Sequence, residues 1–135
     1  MPQIVYRSNI KITVDDFIDL LKRSTLAERR PVDDRTRIQK MLDHASVVVT
    51  AWSAELLVGV SRAVTDFSFC CYLSDLAVDE NYQHQGIGKQ LVKLTHEAAG
   101  LETQLILLAA PKATNYYSKI GMKQFAHCFV FDRRK

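Results

Sequence analysis

The chain reads as one mixed α/β domain with helices packed on the faces of a central sheet. Three observations predict this. Strand-like and helix-like segments alternate along most of its length. A glycine-containing turn, Gln83-His84-Gln85-Gly86-Ile87-Gly88-Lys89, joins a β-prone run to an apolar helical stripe. Leu105-Ile106-Leu107-Leu108 is uniformly apolar, as in an inner strand covered on both faces.

Each element has a local reason. Ile4-Val5-Tyr6-Arg7 is β-prone. Val14, Phe17, Ile18 and Leu21 recur at helical spacing, with Asp15 and Asp16 in the first turn. Residues 24–34 form a polar connection. Ile38, Met41, Leu42 and Ala45 then mark one face of a second helix that starts near Asp33 or Asp34. Val47 to Thr50 reads as a strand, Trp52 to Glu55 as a tight turn and Leu56 to Val64 as the returning strand. After a turn at residues 65–68, Phe69 to Val78 reads as a long strand ending just before the glycine turn. Ile87, Leu91, Leu94 and Ala98 share one stripe of the next helix, which Gly100 is placed to stop. Pro111 ends the apolar strand, Ala113 to Ile120 forms a short helix stopped by Gly121, and Phe125 to Phe131 is expected as a last strand.

Composition bounds the class. A chain of 135 residues is near the usual size of one domain, here residues 1–135, and it is long enough to bury a substantial core. The apolar share of 47% and charged share of 24% are those of an ordinary globular protein. The net charge of +3 is mild, but six basic residues (Lys112, Lys119, Lys123, Arg133, Arg134 and Lys135) stand against Asp132 alone in the last 25 residues. This is read as a solvated tail, with a favourable field for an anionic ligand as the functional alternative. Cys70, Cys71 and Cys128 make a poor disulfide framework and no zinc pattern, so all three are expected as reduced packing residues in a soluble, cytoplasmic protein. Met1-Pro2-Gln3-Ile4 lacks a basic start followed by an apolar signal core, so no signal peptide is expected, and no apolar run approaches the roughly 20 residues of a membrane span. His44, His96 and His127 have no ligand spacing, and no metal is expected.

The turn carries the function class. A helix start leaves several N–H groups without intrahelical partners, and the macrodipole adds positive charge there, which together seat a phosphate or diphosphate. Gly86-Ile87-Gly88-Lys89-Gln90 fails the P-loop spacing and lacks its hydroxyl. Leu91 stands where a dinucleotide-binding turn needs its third glycine. What remains is Q-x-x-G-x-G at Gln83, Gly86 and Gly88.

That pattern, following Leu76-Ala77-Val78-Asp79-Glu80-Asn81-Tyr82, resembles the GNAT superfamily of acyl-CoA-dependent N-acetyltransferases. Residues 111–122, Pro111-Lys112-Ala113-Thr114-Asn115-Tyr116-Tyr117-Ser118-Lys119-Ile120-Gly121-Met122, resemble that family's second block. The resemblance implies an acyl-CoA N-acyltransferase-like fold, a central twisted mixed sheet of about six to seven strands with about four helices. It implies acetyl-CoA as cosubstrate. Backbone amides of Gln83, His84, Gln85, Gly86, Ile87 and Gly88 would bind the diphosphate, with Lys89 adding charge. The open edge of Leu76, Ala77 and Val78 would bind the pantetheine arm, in a gap between two diverging parallel strands at Leu73–Val78 and Leu105–Ala109. Ala109-Ala110-Pro111 departs from the family, which often carries an Asn there; Asn115 lies too far along to replace it.

The implied reaction moves the acetyl group to a primary amine by direct attack in a ternary complex. Tyr117 matches the family's general acid, with Tyr116 as its neighbour and control. The Val78 amide would polarise the thioester carbonyl. For the base, Asp75 on the strand, Glu55 in the hairpin turn and a chain of water molecules all stay open. Glu28, Arg29 and Arg30 are candidates for acceptor binding, the arginines for a carboxylate or phosphate. The alternative function is a non-catalytic acyl-CoA-binding or sensing module. Nucleic-acid binding through Arg133-Arg134-Lys135 is a weaker option, because no aromatics interleave the charges. No membrane partner is expected, and the last strand offers a route to a homodimer.

Overall fold

The computed structural model describes residues 2–8 and 10–134. Lys135 of the basic tail and Met1 lie outside them. The order is β1 (Ile4–Arg7), α1 (Val14–Arg23), α2 (Arg35–Asp43), β2 (Val47–Ser53), β3 (Leu56–Thr65), β4 (Cys70–Val78), α3 (Ile87–Ala99), β5 (Gln104–Ile106) and α4 (Thr114–Lys119), with single 3-10 turns at Leu26–Arg29, Glu80–Tyr82 and Pro111–Ala113. One sheet of order β1-β2-β3-β4-β5 is antiparallel except for the parallel β4–β5 pair.

The helices form where the pattern placed them. The Thr13 hydroxyl accepts from the Asp16 amide at 3.0 Å and so caps α1. Asp34 does the same for α2 through the Arg37 amide, also at 3.0 Å. α1 buries Val14, Phe17, Leu20 and Leu21 against one face of the sheet, where they meet Ile38, Leu57, Val60 and Ala77. α3 buries Ile87, Leu91 and Ala99 against the opposite face, on Val49, Ala51, Ala63 and Cys71. The two faces thus hold two apolar cores with the sheet between them.

A β-bulge sets the phase of β4. Arg62 pairs with Asp75 but Ala63 pairs with Leu73, so Ser74 is the extra residue. Before the bulge, Cys71 faces α3 and Tyr72 the α1–α2 side; after it, Ala77 faces the α1–α2 side, while Leu76 and Val78 pack on the α3 side.

Several expectations are corrected. The sheet has five strands among the described residues, not six to seven. Phe125–Phe131 forms no strand and is exposed, with Phe129 94% accessible. Its alternating apolar residues have the right pattern but no paired edge to satisfy their backbone. β5 is consequently an edge strand of three residues, not an inner one, and Ile106 is half exposed. Trp52 belongs to β2, and the hairpin turn shrinks to Ala54-Glu55. Of the cysteines only Cys71 is a packing residue, its thiol pKa pushed up by burial; Cys70 and Cys128 are exposed. 

The β3–β4 turn is held by one carboxylate. Asp66 Oδ1 accepts from the amides of Phe69 at 2.8 Å, Ser68 at 2.9 Å and Cys70 at 3.1 Å. These bonds, that from Phe69 foremost, lower its pKa to about 2. A free Asp titrates near ~3.9, so the stabilisation is complete above that pH and lost as pH falls toward the folded value. Asp66→Ala is expected to lower the urea midpoint at pH 7, and its difference from wild type should vanish as pH approaches the folded pKa of about 2. A midpoint gap that persists there would show that the carboxylate's charge is not what holds the turn.

Candidate functional site

The site begins where a strand pair comes apart. β5 pairs with β4 only from Cys70↔Gln104 to Tyr72↔Ile106, yet β4 runs on to Val78. Beyond Tyr72 the β5-facing edge of β4 is therefore open. Ala77 pairs with Val60, and the Asp79 amide donates to the Val58 carbonyl at 2.8 Å. Strand groups alternate in direction, so the N–H groups of Leu76 and Val78 face the open side. The Val78 carbonyl faces it too and accepts from Gln83 Nε2 at 3.1 Å. Gln83 thus ties the turn back to the strand. Ala77 packs in the α1-side core, and only its backbone adjoins the open edge.

The turn itself places two alternate residues in the left-handed region, His84 (φ 65°) and Gly86 (φ 82°). Gly86 is the N-cap of α3, and a β-carbon there would meet nothing within 4 Å. The first intrahelical bond runs from the Gln90 amide to the Gly86 carbonyl at 3.1 Å, leaving the Ile87, Gly88 and Lys89 amides free of helical partners. His84 and Gln85 are exposed; Ile87 is buried in the α3-side core, where it anchors the helix start. A cavity of about 370 Å³ adjoins this end, lined by Gly86, Lys89, Gln90 and Met122 among others.

α4 brings both tyrosines to this region. The rings of Tyr116 and Tyr117 meet edge to face, 5.2 Å apart. The Tyr116 hydroxyl reaches the start of α3, 2.5 Å from where a Gly88 β-carbon would stand, so glycine at 88 is required for this approach. Burial raises the Tyr116 pKa, and the facing Lys89 amide pulls it partly back. Tyr117 turns into a groove of about 810 Å³ between β5, α4 and the C-terminal segment. Burial pushes its pKa up, and the neighbouring Tyr116 adds to the rise.

Asp75 is not free in a cleft. It is fully buried, and its two oxygens accept from Arg30 Nε at 2.5 Å and from Arg62 Nε. Arg30 also donates to the Ser74 and Arg29 carbonyls, each at 2.8 Å, and Arg62 to the Met41 carbonyl at 3.2 Å. The three residues join the 3-10 turn, β3, the β4 bulge and the end of α2. Arg30 is therefore engaged inside the protein, whereas Glu28 and Arg29 are exposed beside it. Glu55 is exposed in the β2–β3 hairpin. Arg62 was missed from the sequence, although a charge inside the apolar run Leu57–Val64 is a signal that a buried partner exists. A second tie, Arg23 Nη1 to Asp79 Oδ2 at 2.5 Å with Nη2 to the Leu57 carbonyl at 2.8 Å, fixes α1 to the end of β4. Among the described residues no group of three His, Cys, Asp or Glu side chains could hold a metal, and no helix is long and apolar enough to cross a membrane.

A parallel pair that opens beside a glycine-capped helix start is the α/β arrangement that the acyl-CoA N-acyltransferase resemblance implies. A model described as the acetyltransferase (GNAT) domain matches residues 27–133, and the chain belongs to that family. It is 23% identical over 124 residues to an uncharacterized N-acetyltransferase of Gracilaria tenuistipitata var. liui, covering 84% of this chain and 66% of that protein. In fold it is similar to a probable acetyltransferase from meticillin-resistant Staphylococcus aureus (TM-score 0.80, 20% identity, 98% of this chain and 99% of that one). It is also similar to an aminoglycoside N-acetyltransferase solved in complex with CoA (TM-score 0.73, 16% identity, 98% of this chain and 96% of that one).

Proposed function

We propose that the chain is an N-acetyltransferase that moves the acetyl group of acetyl-CoA to a primary amine by direct attack in a ternary complex. One observation carries this: past Tyr72 the β5-facing edge of β4 is unpaired, and the strand ends beside amides at the start of α3 that have no helical partner. Those amides, with Lys89, suit the diphosphate; the open Leu76 and Val78 edge suits an amide-bearing arm laid along it as another strand would lie. The amine nitrogen attacks the thioester carbon, the C–S bond breaks, and Tyr117 gives its proton to the departing thiolate. The Val78 amide polarises the carbonyl oxygen. The amine's proton leaves through water, because Asp75 has both oxygens occupied and Glu55 lies out in the hairpin.

That last point also favours the second reading, a non-catalytic acyl-CoA-binding module, since neither candidate carboxylate is positioned as a base. Thiol release from acetyl-CoA in the presence of an accepted amine decides between the two.

The seat is tested by Gly86→Glu. The new side chain meets no atom within 4 Å but is strained by the left-handed backbone at φ 82°, and it sets a carboxylate against the diphosphate. CoA affinity should fall by at least about tenfold, the equivalent of ~1.4 kcal/mol. Gly86→Asn, which tolerates the left-handed backbone, is the fold control and should keep most of the affinity. Equal CoA binding by Gly86→Glu and wild type in a calorimetric titration would move the seat elsewhere.

A further inference from the structure

The α1–α2 side of the sheet carries an uncovered apolar row. Val64, Tyr72 and Ile106 stand in register across β3, β4 and β5, and all three point to this side. They are 47%, 36% and 51% exposed, although α1 and α2 bury the middle of the same face around Val60 and Ala77. The row crosses β4 and β5 at Tyr72↔Ile106, the last pair before the strands part. It therefore borders the closed end of the gap. The glycine turn and α3 belong to the other side of the sheet, so an arm entering from them leaves the α1–α2 side for the second substrate.

The charge at this place is also definite. Arg62 lies two residues from Val64 on the same side of β3, and Arg30 joins it on Asp75. Two guanidinium groups share one carboxylate, an excess of one positive charge beside the row. Both oxygens of that carboxylate are occupied, so it offers nothing to a further cation. The exposed Arg29 and Glu28 beside them offset each other.

We infer that the acceptor is an amine carried on an apolar or aromatic body with no second positive charge, seated on Val64, Tyr72 and Ile106. This rests on the acetyltransferase reading and names its acceptor class. The apolar body gains by covering the row, and Arg30 and Arg62 repel polycations.

The experiment compares 2-phenylethylamine with spermidine and kanamycin. Binding to the CoA-loaded protein is measured by calorimetry and transfer by thiol release from acetyl-CoA. 2-Phenylethylamine should bind saturably and have a KM at least about tenfold below those of the polycations, the scale of apolar-pocket discrimination. Val64→Glu, at a half-exposed position, should raise its KM by a similar factor of about ten and leave the KM for acetyl-CoA within about twofold. Val64→Ile should retain the wild-type values and so exclude a folding defect. Polycations bound or turned over in preference, no saturable binding of 2-phenylethylamine, or indifference to Val64→Glu would overturn the inference. The acetyltransferase reading fails separately, by loss of CoA binding or by absence of thiol release with every amine.

Discussion

Tyr117→Phe should lower kcat by roughly 10²-fold, the lower end of the range for a positioned general acid, while CoA affinity stays within about twofold. The lower end is expected because of acidity. A CoA thiol resembles a cysteine thiol, near ~8.5, and a phenol already near ~10 is the weaker acid. Burial pushes Tyr117 further up, with a contribution from Tyr116. Full proton transfer to the thiolate is therefore uphill, and the hydroxyl helps chiefly by donating as the C–S bond lengthens. The same shift fixes the pH dependence. As the proposed acid Tyr117 would act in its protonated form, which persists until pH exceeds its raised pKa, so wild-type kcat should lose activity on that account only above about pH 10. In Tyr117→Phe that alkaline loss should be absent. Tyr116→Phe is the comparison, since its hydroxyl faces the α3 start instead of the groove. A larger loss of kcat in Tyr116→Phe than in Tyr117→Phe would transfer the acid role to Tyr116.

Asp75→Ala should destabilise the domain by about 3 kcal/mol, measured from the urea midpoint at constant m-value. Asp75 is wholly buried, and the side chains of Arg62 and Arg30 are 8% and 21% accessible. Removing the carboxylate leaves two guanidinium groups facing each other with no counter-charge. The cost is set at the low end of the range for breaking a buried pair because Arg30 retains contact with water. Arg30 also holds the Ser74 carbonyl at 2.8 Å, so the bulge that sets the phase of β4 should loosen. Asp75→Asn, which keeps an acceptor oxygen, should lose less. If Asp75→Ala is as stable as wild type but abolishes turnover, Asp75 acts on the substrate and not as a structural counter-ion.

The two residues illustrate how far a sequence can be read. Asp75 on a strand near the glycine turn has the composition of a base, and nothing local distinguishes a free carboxylate from a paired one. Its partners lie 45 and 13 residues away in sequence. Arg30 was legible as a cation in the connection between the first two helices, but not as a cation already engaged. Phe125–Phe131 shows the same limit for backbone. Its apolar alternation suits a strand, yet a strand exists only where another edge accepts it, and these residues stand exposed. β5, expected to be covered on both sides, is an edge for the same reason.

What the sequence determined by itself was the glycine turn and the helices around it. Glycines at 86 and 88, the cap at Asp34 and the apolar stripe of α3 act through residues no more than a few positions apart, so their effect is local and readable. Tertiary structure alone decided where β4 and β5 part, which guanidinium groups surround Asp75, and which apolar residues stay uncovered. Those outcomes depend on register and on packing between segments far apart in the chain, where each contact competes with the entropy of closing a long loop.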